Sequence, residues 1–196
     1  MFEELSSEML IFLIGAGFIA SFIDSVVGGG GLISVPSLMM TGLSPVVVLG
    51  TNKMAAFMGS ITSTVAFMRS GKIDLKLIKY LFPLSVIGSA LGVFTVRMIP
   101  PDFLKPIVVG MLVIVTIYSL MKKDWGENST YHGMNQKTAI LSGGVAFVLG
   151  FYDGFFGPGA GSFLLFAFLC IGFDFIMAAG NARALNFGSN ISAMVV

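Results

Sequence analysis

Apolar runs of membrane length alternate along this chain with short polar breaks. Residues 9–27 form the first run, long enough for the ~20 helical residues that cross ~30 Å of hydrocarbon. Gly15, Gly17 and Ala20 leave one side of it smooth for helix packing, and Asp24 comes near its end. Residues 32–42 are apolar but short, hold Pro36 and run into Gly42-Leu43-Ser44-Pro45. Such a helix rises only about 16 Å. It is half a membrane in depth, or one arm of a broken helix whose backbone must be satisfied by protein or a watery cavity. Residues 46–68 are a full-length run with a polar middle, Gly50-Thr51-Asn52-Lys53 followed by Ser60, Thr62, Ser63 and Thr64. A basic loop is expected at 69–79, a span at 80–98, a turn at Pro100-Pro101 and a span at 103–121. Gly88 and Gly92 in the fourth run form a GxxxG, the signature of a helix-contact face. After a polar segment at 122–137, residues 138–156, 161–171 and 175–196 repeat the order long, short, long.

The repetition extends to single residues. Asp24 precedes Gly28-Gly29-Gly30-Gly31, and 129 positions later Asp153 precedes Gly157, Gly159 and Gly161. At the same offset Asn52 falls on Asn181, Ala55 on Ala184, Gly59 on Gly188, Ser60 on Ser189 and Ser63 on Ser192. An aligned acid, amide and Gly-Ser pair in one ungapped register indicate a duplicated unit. The fold class expected is therefore an all-α integral membrane protein. It is a multi-pass helical bundle of two repeats, each with a glycine-rich helix break. Residues 1–121 form the first repeat, 122–137 a polar cytoplasmic loop, and 138–196 a second repeat.

Five membrane segments per unit would insert the second unit upside down, a common design among secondary transporters. That topology puts the acidic start Met1-Phe2-Glu3-Glu4 outside and both basic loops inside, in agreement with the positive-inside rule. A re-entrant short arm would instead make the units parallel; the inverted version is preferred. The second unit has no counterpart of the last two runs of the first, so it reads as incomplete, with roughly 50–60 further residues expected for two tilted spans and their turns.

Composition agrees with the membrane class. The chain is 56% hydrophobic and 11% charged, with a mean hydropathy of +0.94, whereas soluble domains carry about 25% charged residues. A net charge of +1 gives no basic face for nucleic acid, and the single cysteine, Cys170, allows no internal disulfide. No His, Cys or carboxylate cluster has metal-ligand spacing. His132 stands alone in a polar loop. Neither an enzyme nor a cofactor or metal is expected.

The chemistry is expected where charge meets the apolar runs. Asp24, Lys53, Asp153 and Arg183 are the ionisable residues to explain, since charges at membrane depth face the bundle interior and mark pathways. They form two structural ion pairs, Asp24 with Lys53 or Arg183 and Asp153 with the other. Alternatively, Lys53 and Arg183 attract an anion while Asp24 or Asp153 takes up a proton in coupling. Asn52 and Asn181 recur beside the cations and are assigned to the site; Asn190 is assigned to helix packing. Gly28, Gly29, Gly30, Gly31, Gly157, Gly159 and Gly161 either let helices pack closely or present free N–H groups to an anion at a helix start.

These residues resemble those of the sulfite exporter TauE/SafE family of membrane transporters. The likeness is carried by Gly17-Phe18-Ile19-Ala20-Ser21-Phe22-Ile23-Asp24 leading into Gly28-Gly29-Gly30-Gly31-Leu32-Ile33, and by Leu49-Gly50-Thr51-Asn52-Lys53. In the second half it is carried by Gly150-Phe151-Tyr152-Asp153-Gly154-Phe155-Phe156-Gly157-Pro158-Gly159 and Asn181-Ala182-Arg183-Ala184-Leu185-Asn186-Phe187. The second-half run is similar to that of a bacterial inner-membrane subgroup. The resemblance implies a multi-pass plasma-membrane exporter of small anions, sulfite, sulfoacetate or related sulfur compounds. Arg183 stands where the resembling motif leads one to expect lysine.

Taken together, these features give a secondary transporter working by alternating access, with a small anion and the lipid bilayer as partners and homo-oligomerisation open. The competing classes are a non-transporting membrane scaffold or complex subunit, and a passive anion channel.

Overall fold

A computed structural model describes residues 6–121, 131, 133 and 136–196. The acidic start and most of the polar segment at 122–137, with Trp125 and His132, lie outside the described residues. Among the described residues the regular structure is eight helices: α1 (Ser7–Val27), α2 (Gly31–Met39), α3 (Pro45–Arg69), α4 (Leu75–Arg97), α5 (Pro101–Met121), α6 (Gln136–Phe155), α7 (Ala160–Ile171) and α8 (Phe175–Val195).

The helix ends follow local chemistry. The Ser6 hydroxyl accepts from the Met9 amide at the start of α1. Asp74 accepts from the Lys76 and Leu77 amides at 3.1 Å each, so α4 starts five residues before the expected span. The basic loop is correspondingly shorter than 69–79, because Lys76 and Lys79 already belong to this capped first part of α4. Asp174 caps α8 in the same way through the Ile176 and Met177 amides. Asp174→Ala is expected to cost about 1 kcal/mol of stability, readable as a lowered thermal unfolding midpoint with no change in helix content. Gly28 closes α1 with φ 85°, a left-handed conformation that a side chain would strain.

Among the described residues, three helical stretches are long and apolar enough to cross a membrane, Ser7–Ser25, Leu75–Arg97 and Thr138–Phe155. α3 and α8 are comparably long. Most of their polar residues point into the bundle: Asn52, Lys53 and Ser60 from α3, and Asn181, Arg183, Asn186, Ser189 and Asn190 from α8, are buried, while Thr51 and Thr62 of α3 are exposed. The chain is a helical membrane protein.

Two apolar clusters hold the bundle. One joins α4, α6, α7 and α8 through Leu77, Leu81, Ala146, Leu164, Phe168 and Leu185. The other joins α2, α3, α5 and the residue after α6 through Val35, Val48, Leu49, Leu104, Val108 and Phe156. α4 and α6 meet backbone to backbone. A β-carbon at Gly88 or Gly92 would lie 2.2 Å from the Phe147 or Phe151 carbonyl oxygen, and one at Gly150 would lie 2.4 Å from that of Ser85. The GxxxG on α4 is thus met by Gly150 and Gly154 on α6. Serines then tie α4 to α8: Ser85 Oγ donates to the Leu185 carbonyl at 3.2 Å and Ser89 Oγ to the Ser189 carbonyl at 2.6 Å. On α1, by contrast, Gly15 and Gly17 face open space and only Ala20 packs closely, against Gly30. The small-residue side expected to serve packing is therefore only partly used.

Candidate functional site

Where α1 gives way to α2, and α6 to α7, the two irregular stretches touch. A β-carbon at Gly28 would lie 2.6 Å from the Gly161 backbone, and one at Gly31 would lie 2.8 Å from Pro158 Cα. No side chain larger than hydrogen fits between these backbones. The Tyr152 hydroxyl donates to the Pro158 carbonyl at 2.6 Å and fixes the second stretch.

Beside this crossing, four charges form two pairs. Arg183 Nη1 of α8 donates to Asp24 Oδ2 of α1 at 3.2 Å. Lys53 Nζ of α3 binds Asp153 Oδ1 of α6. Each carboxylate is therefore answered by a cation from the other half of the chain. Asp153 is the more enclosed of the two. Its second oxygen accepts from Asn186 Nδ2 at 2.8 Å and from the Ser189 hydroxyl. Lys53 Nζ also donates to Asn190 Oδ1 at 3.2 Å, and Asn190 Nδ2 donates to Asn186 Oδ1 at 3.3 Å. Asp24 accepts the Gly30 amide at 3.2 Å, so the glycine stretch holds one carboxylate directly. The Ser34 hydroxyl donates to Asn52 Oδ1.

A cavity of about 20 Å³ lies among these groups, room for about one water molecule. Asp24, Asn52, Lys53, Asp153 and Asn186 line it, with Gly28, Gly31, Gly157, Gly159 and Gly161 as part of its wall. A second cavity of about 80 Å³ reaches Asp24 and Asn52 from the side of Ser34 and Gly59. The Arg183 side chain is 3% exposed. Its Nη2 is buried and has no hydrogen-bond partner among the described residues. Buried polar atoms are hydrogen-bonded in the great majority of cases, so this nitrogen is an open donor in a charged, enclosed place.

Most residues singled out from sequence gather here. Gly29 and Gly30 sit in the first irregular stretch, Gly29 against Ser162 and Gly30 against α1. Asn181 does not gather with them. Its Oδ1 accepts the Asp74 amide at 2.8 Å, at the start of α4. Three residues not assigned to the site are instead bound to the charged groups: Asn186, Ser189 and Asn190. With Arg183 they fall at i, i+3, i+6 and i+7 along α8, the spacing of one helix face, and that was the signal available.

The family model described as Sulfite exporter TauE/SafE matches residues 13–196. A probable membrane transporter protein, ORF9, of Sinorhizobium sp is 36% identical over 195 residues, which cover 99% of this chain and 74% of the relative. One from Haemophilus influenzae is 35% identical over 196 residues, covering 98% of this chain and 75% of the relative. The probable membrane transporter protein YfcA of Escherichia coli K12 is 37% identical over 193 residues, covering 97% and 71%. No solved structure gives a significant match. With its paired charges set against two glycine-rich turns and a family match spanning nearly its whole length, the chain belongs to the sulfite exporter TauE/SafE family.

Proposed function

We propose that this protein is a secondary transporter of small anions, sulfite or a related sulfur oxyanion or organosulfur compound, working by alternating access in the bacterial inner membrane. The observation that carries the reading is the buried, unpartnered Nη2 of Arg183 beside two crossed ion pairs. A guanidinium with one nitrogen on Asp24 and one open presents part of the fork that binds oxyanions in a bidentate manner. The transporter names of the relatives support the same reading.

The cavity of about 20 Å³ is too small for a four-atom oxyanion. An anion would therefore enter by separating carboxylate from cation, and the pairs would close again behind it. Each pair joins the two halves of the chain, so separating them is what a rocking motion between the halves would do. An inverted repeat of residues 1–121 and 138–196 around the loop at 122–137 fits the matched order of helices: α1, α2 and α3 have 21, 9 and 25 residues, and α6, α7 and α8 have 20, 12 and 21. Protonation of Asp24 or Asp153 would release the partner cation and is the natural coupling step.

Purified protein in proteoliposomes is expected to show saturable uptake of labelled sulfite. Arg183→Lys should keep the Asp24 pair yet weaken anion binding about tenfold, as loss of a charge-assisted hydrogen bond does. Uptake unchanged in Arg183→Lys would remove Arg183 from the site, uptake linear in concentration would leave a channel, and no uptake of any anion would leave a scaffold.

A further inference from the structure

The cavity of about 80 Å³ beside Asp24 is an open groove between α1 and α3, and the matching place in the other half of the chain is filled. Gly17 and Ser21 of α1 and Asn52, Ala55, Ala56 and Gly59 of α3 line the groove. At the offset of 129 these positions fall on Ala146 and Gly150 of α6 and on Asn181, Ala184, Leu185 and Gly188 of α8. Every residue of the second set is buried, whereas in the first set only Asn52 is. α4 makes the difference. A β-carbon at Gly150 would meet the Ser85 backbone, and one at Gly188 the Phe82 ring. Ser85 Oγ donates to the Leu185 carbonyl, and Asn181 Oδ1 accepts the Asp74 amide where α4 begins. Beside α1 and α3 no helix among the described residues plays this part. Only 6% of the apolar stretch of α1 is buried, against 33% of that of α6, and the Asp24 side chain is 18% exposed where that of Asp153 is 3% exposed.

We propose that the groove between α1 and α3 is a docking surface for a further membrane-spanning helix, the second repeat's counterpart of α4. The occupant carries a ridge of small residues four apart, as α4 does with Ser85, Ser89, Gly88 and Gly92. Ser21 and Ser25 stand where α6 has Gly150 and Gly154, so the ridge meets them with glycine. Ala56 in place of Leu185 leaves room for it on the α3 side. Close backbone approach, rather than burial of apolar surface, holds helices together in lipid, and an acyl chain has no ridge to complement these residues. Relatives have the length for such a helix: the match covers 74% of ORF9, and the quarter outside it exceeds the ~20 residues of one span. Docked there, the helix covers Asp24 and gives its pair with Arg183 the enclosure that Asp153 already has with Lys53. The inference rests on the duplicated unit and holds whether or not an anion is moved.

The test places the chain in lipid nanodiscs with a synthetic helix of residues 75–97 carrying Ser85→Gly and Ser89→Gly, and follows energy transfer from labelled protein to labelled helix. Saturable transfer, reversed by unlabelled helix, is expected. Ser21→Leu and Ala55→Leu change exposed groove residues. Each should leave the unfolding midpoint without the helix as it was and weaken helix binding about tenfold, as overfilling a packed interface does. Ile19→Leu should change neither, because Ile19 is two residues from Ser21 and so on the opposite side of α1. Transfer that never saturates would leave the groove to lipid and overturn the inference. Saturable binding indifferent to Ser21→Leu would put the helix elsewhere, in the seat of α4 itself, and overturn it too. Self-association of the chain that excludes the helix and is lost in Ser21→Leu would make a second copy the occupant, against the proposal. A midpoint lowered by Ser21→Leu alone would mean that the groove is closed within the chain, with the same result.

Discussion

Asp153→Ala is expected to destabilise the protein by about 3–5 kcal/mol, the cost of stranding one partner of a buried ion pair. Asp153 is 2% exposed and is the acceptor for three side chains: Lys53, Asn186 and Ser189. Removing it leaves the Lys53 ammonium in a low-dielectric interior with only Asn190 as an acceptor at 3.2 Å. Two buried donors lose their acceptor at the same time. A change of that size should lower the unfolding midpoint by roughly 10 °C for a chain of this length, measured in nanodiscs against the parent. Asp24→Ala should cost less, because the Asp24 side chain is 18% exposed and reaches the larger cavity.

The paired replacement separates stability from function. Lys53→Met with Asp153→Leu substitutes apolar volume for the ion pair, which is often neutral or stabilising. The double variant should therefore recover most of the lost stability and still lose the proposed anion transport, since its cation is gone. A double variant that is stable and transports normally would make the pair dispensable in both senses. A single Asp153→Ala variant within about 1 kcal/mol of the parent would mean that water reaches the pair, against the enclosure described.

The helical membrane class was legible because apolar length and low charge leave few alternatives at this composition. The positions of Asp24 and Asp153 were legible because the same acid-glycine spacing occurs twice. The partners were harder. Sequence symmetry places Asn181 opposite Asn52, and Asn181 is two residues from Arg183. Two residues along a helix turn the side chain by about 200°, so Asn181 points to the start of α4 while Arg183 points to Asp24. Asn186 and Asn190 keep the phase of Arg183, and helical phase rather than sequence proximity decides who meets the charge. The pairing choice was also hidden. Asp24 with Arg183 and Asp153 with Lys53 depend on how the halves interlock, which no local pattern encodes. The early start of α4 is visible in principle, since Asp74 before Leu75 is an N-cap signal, but Lys76 and Lys79 carry the opposing signal of a basic loop.

Gly154→Leu is expected to prevent the folded protein from accumulating, and Gly154→Ala to destabilise it by about 1–3 kcal/mol, the range for forcing atoms into a filled interface. A β-carbon at Gly154 would lie 2.1 Å from the Ser89 carbonyl oxygen. The obstacle is the backbone of the facing helix, not a flexible side-chain tip, so α4 and α6 must move apart to admit it. That motion would reach the charged centre at once. Gly154 is next to Asp153 in the chain, and Ser89 Oγ holds the carbonyl of Ser189, whose hydroxyl binds Asp153. Even the tolerated Gly154→Ala should therefore impair anion transport more than its stability loss alone explains. Gly144→Ala provides the control on the same helix, because a β-carbon there meets nothing within 4 Å, and it should leave both unfolding and transport unchanged. Folded yield and unfolding midpoint of the three variants decide the matter. A Gly154→Leu protein as stable as the parent would mean that α4 and α6 do not pack as tightly as these contacts require, and the placement of Asp153 against Ser189 would lose its structural basis.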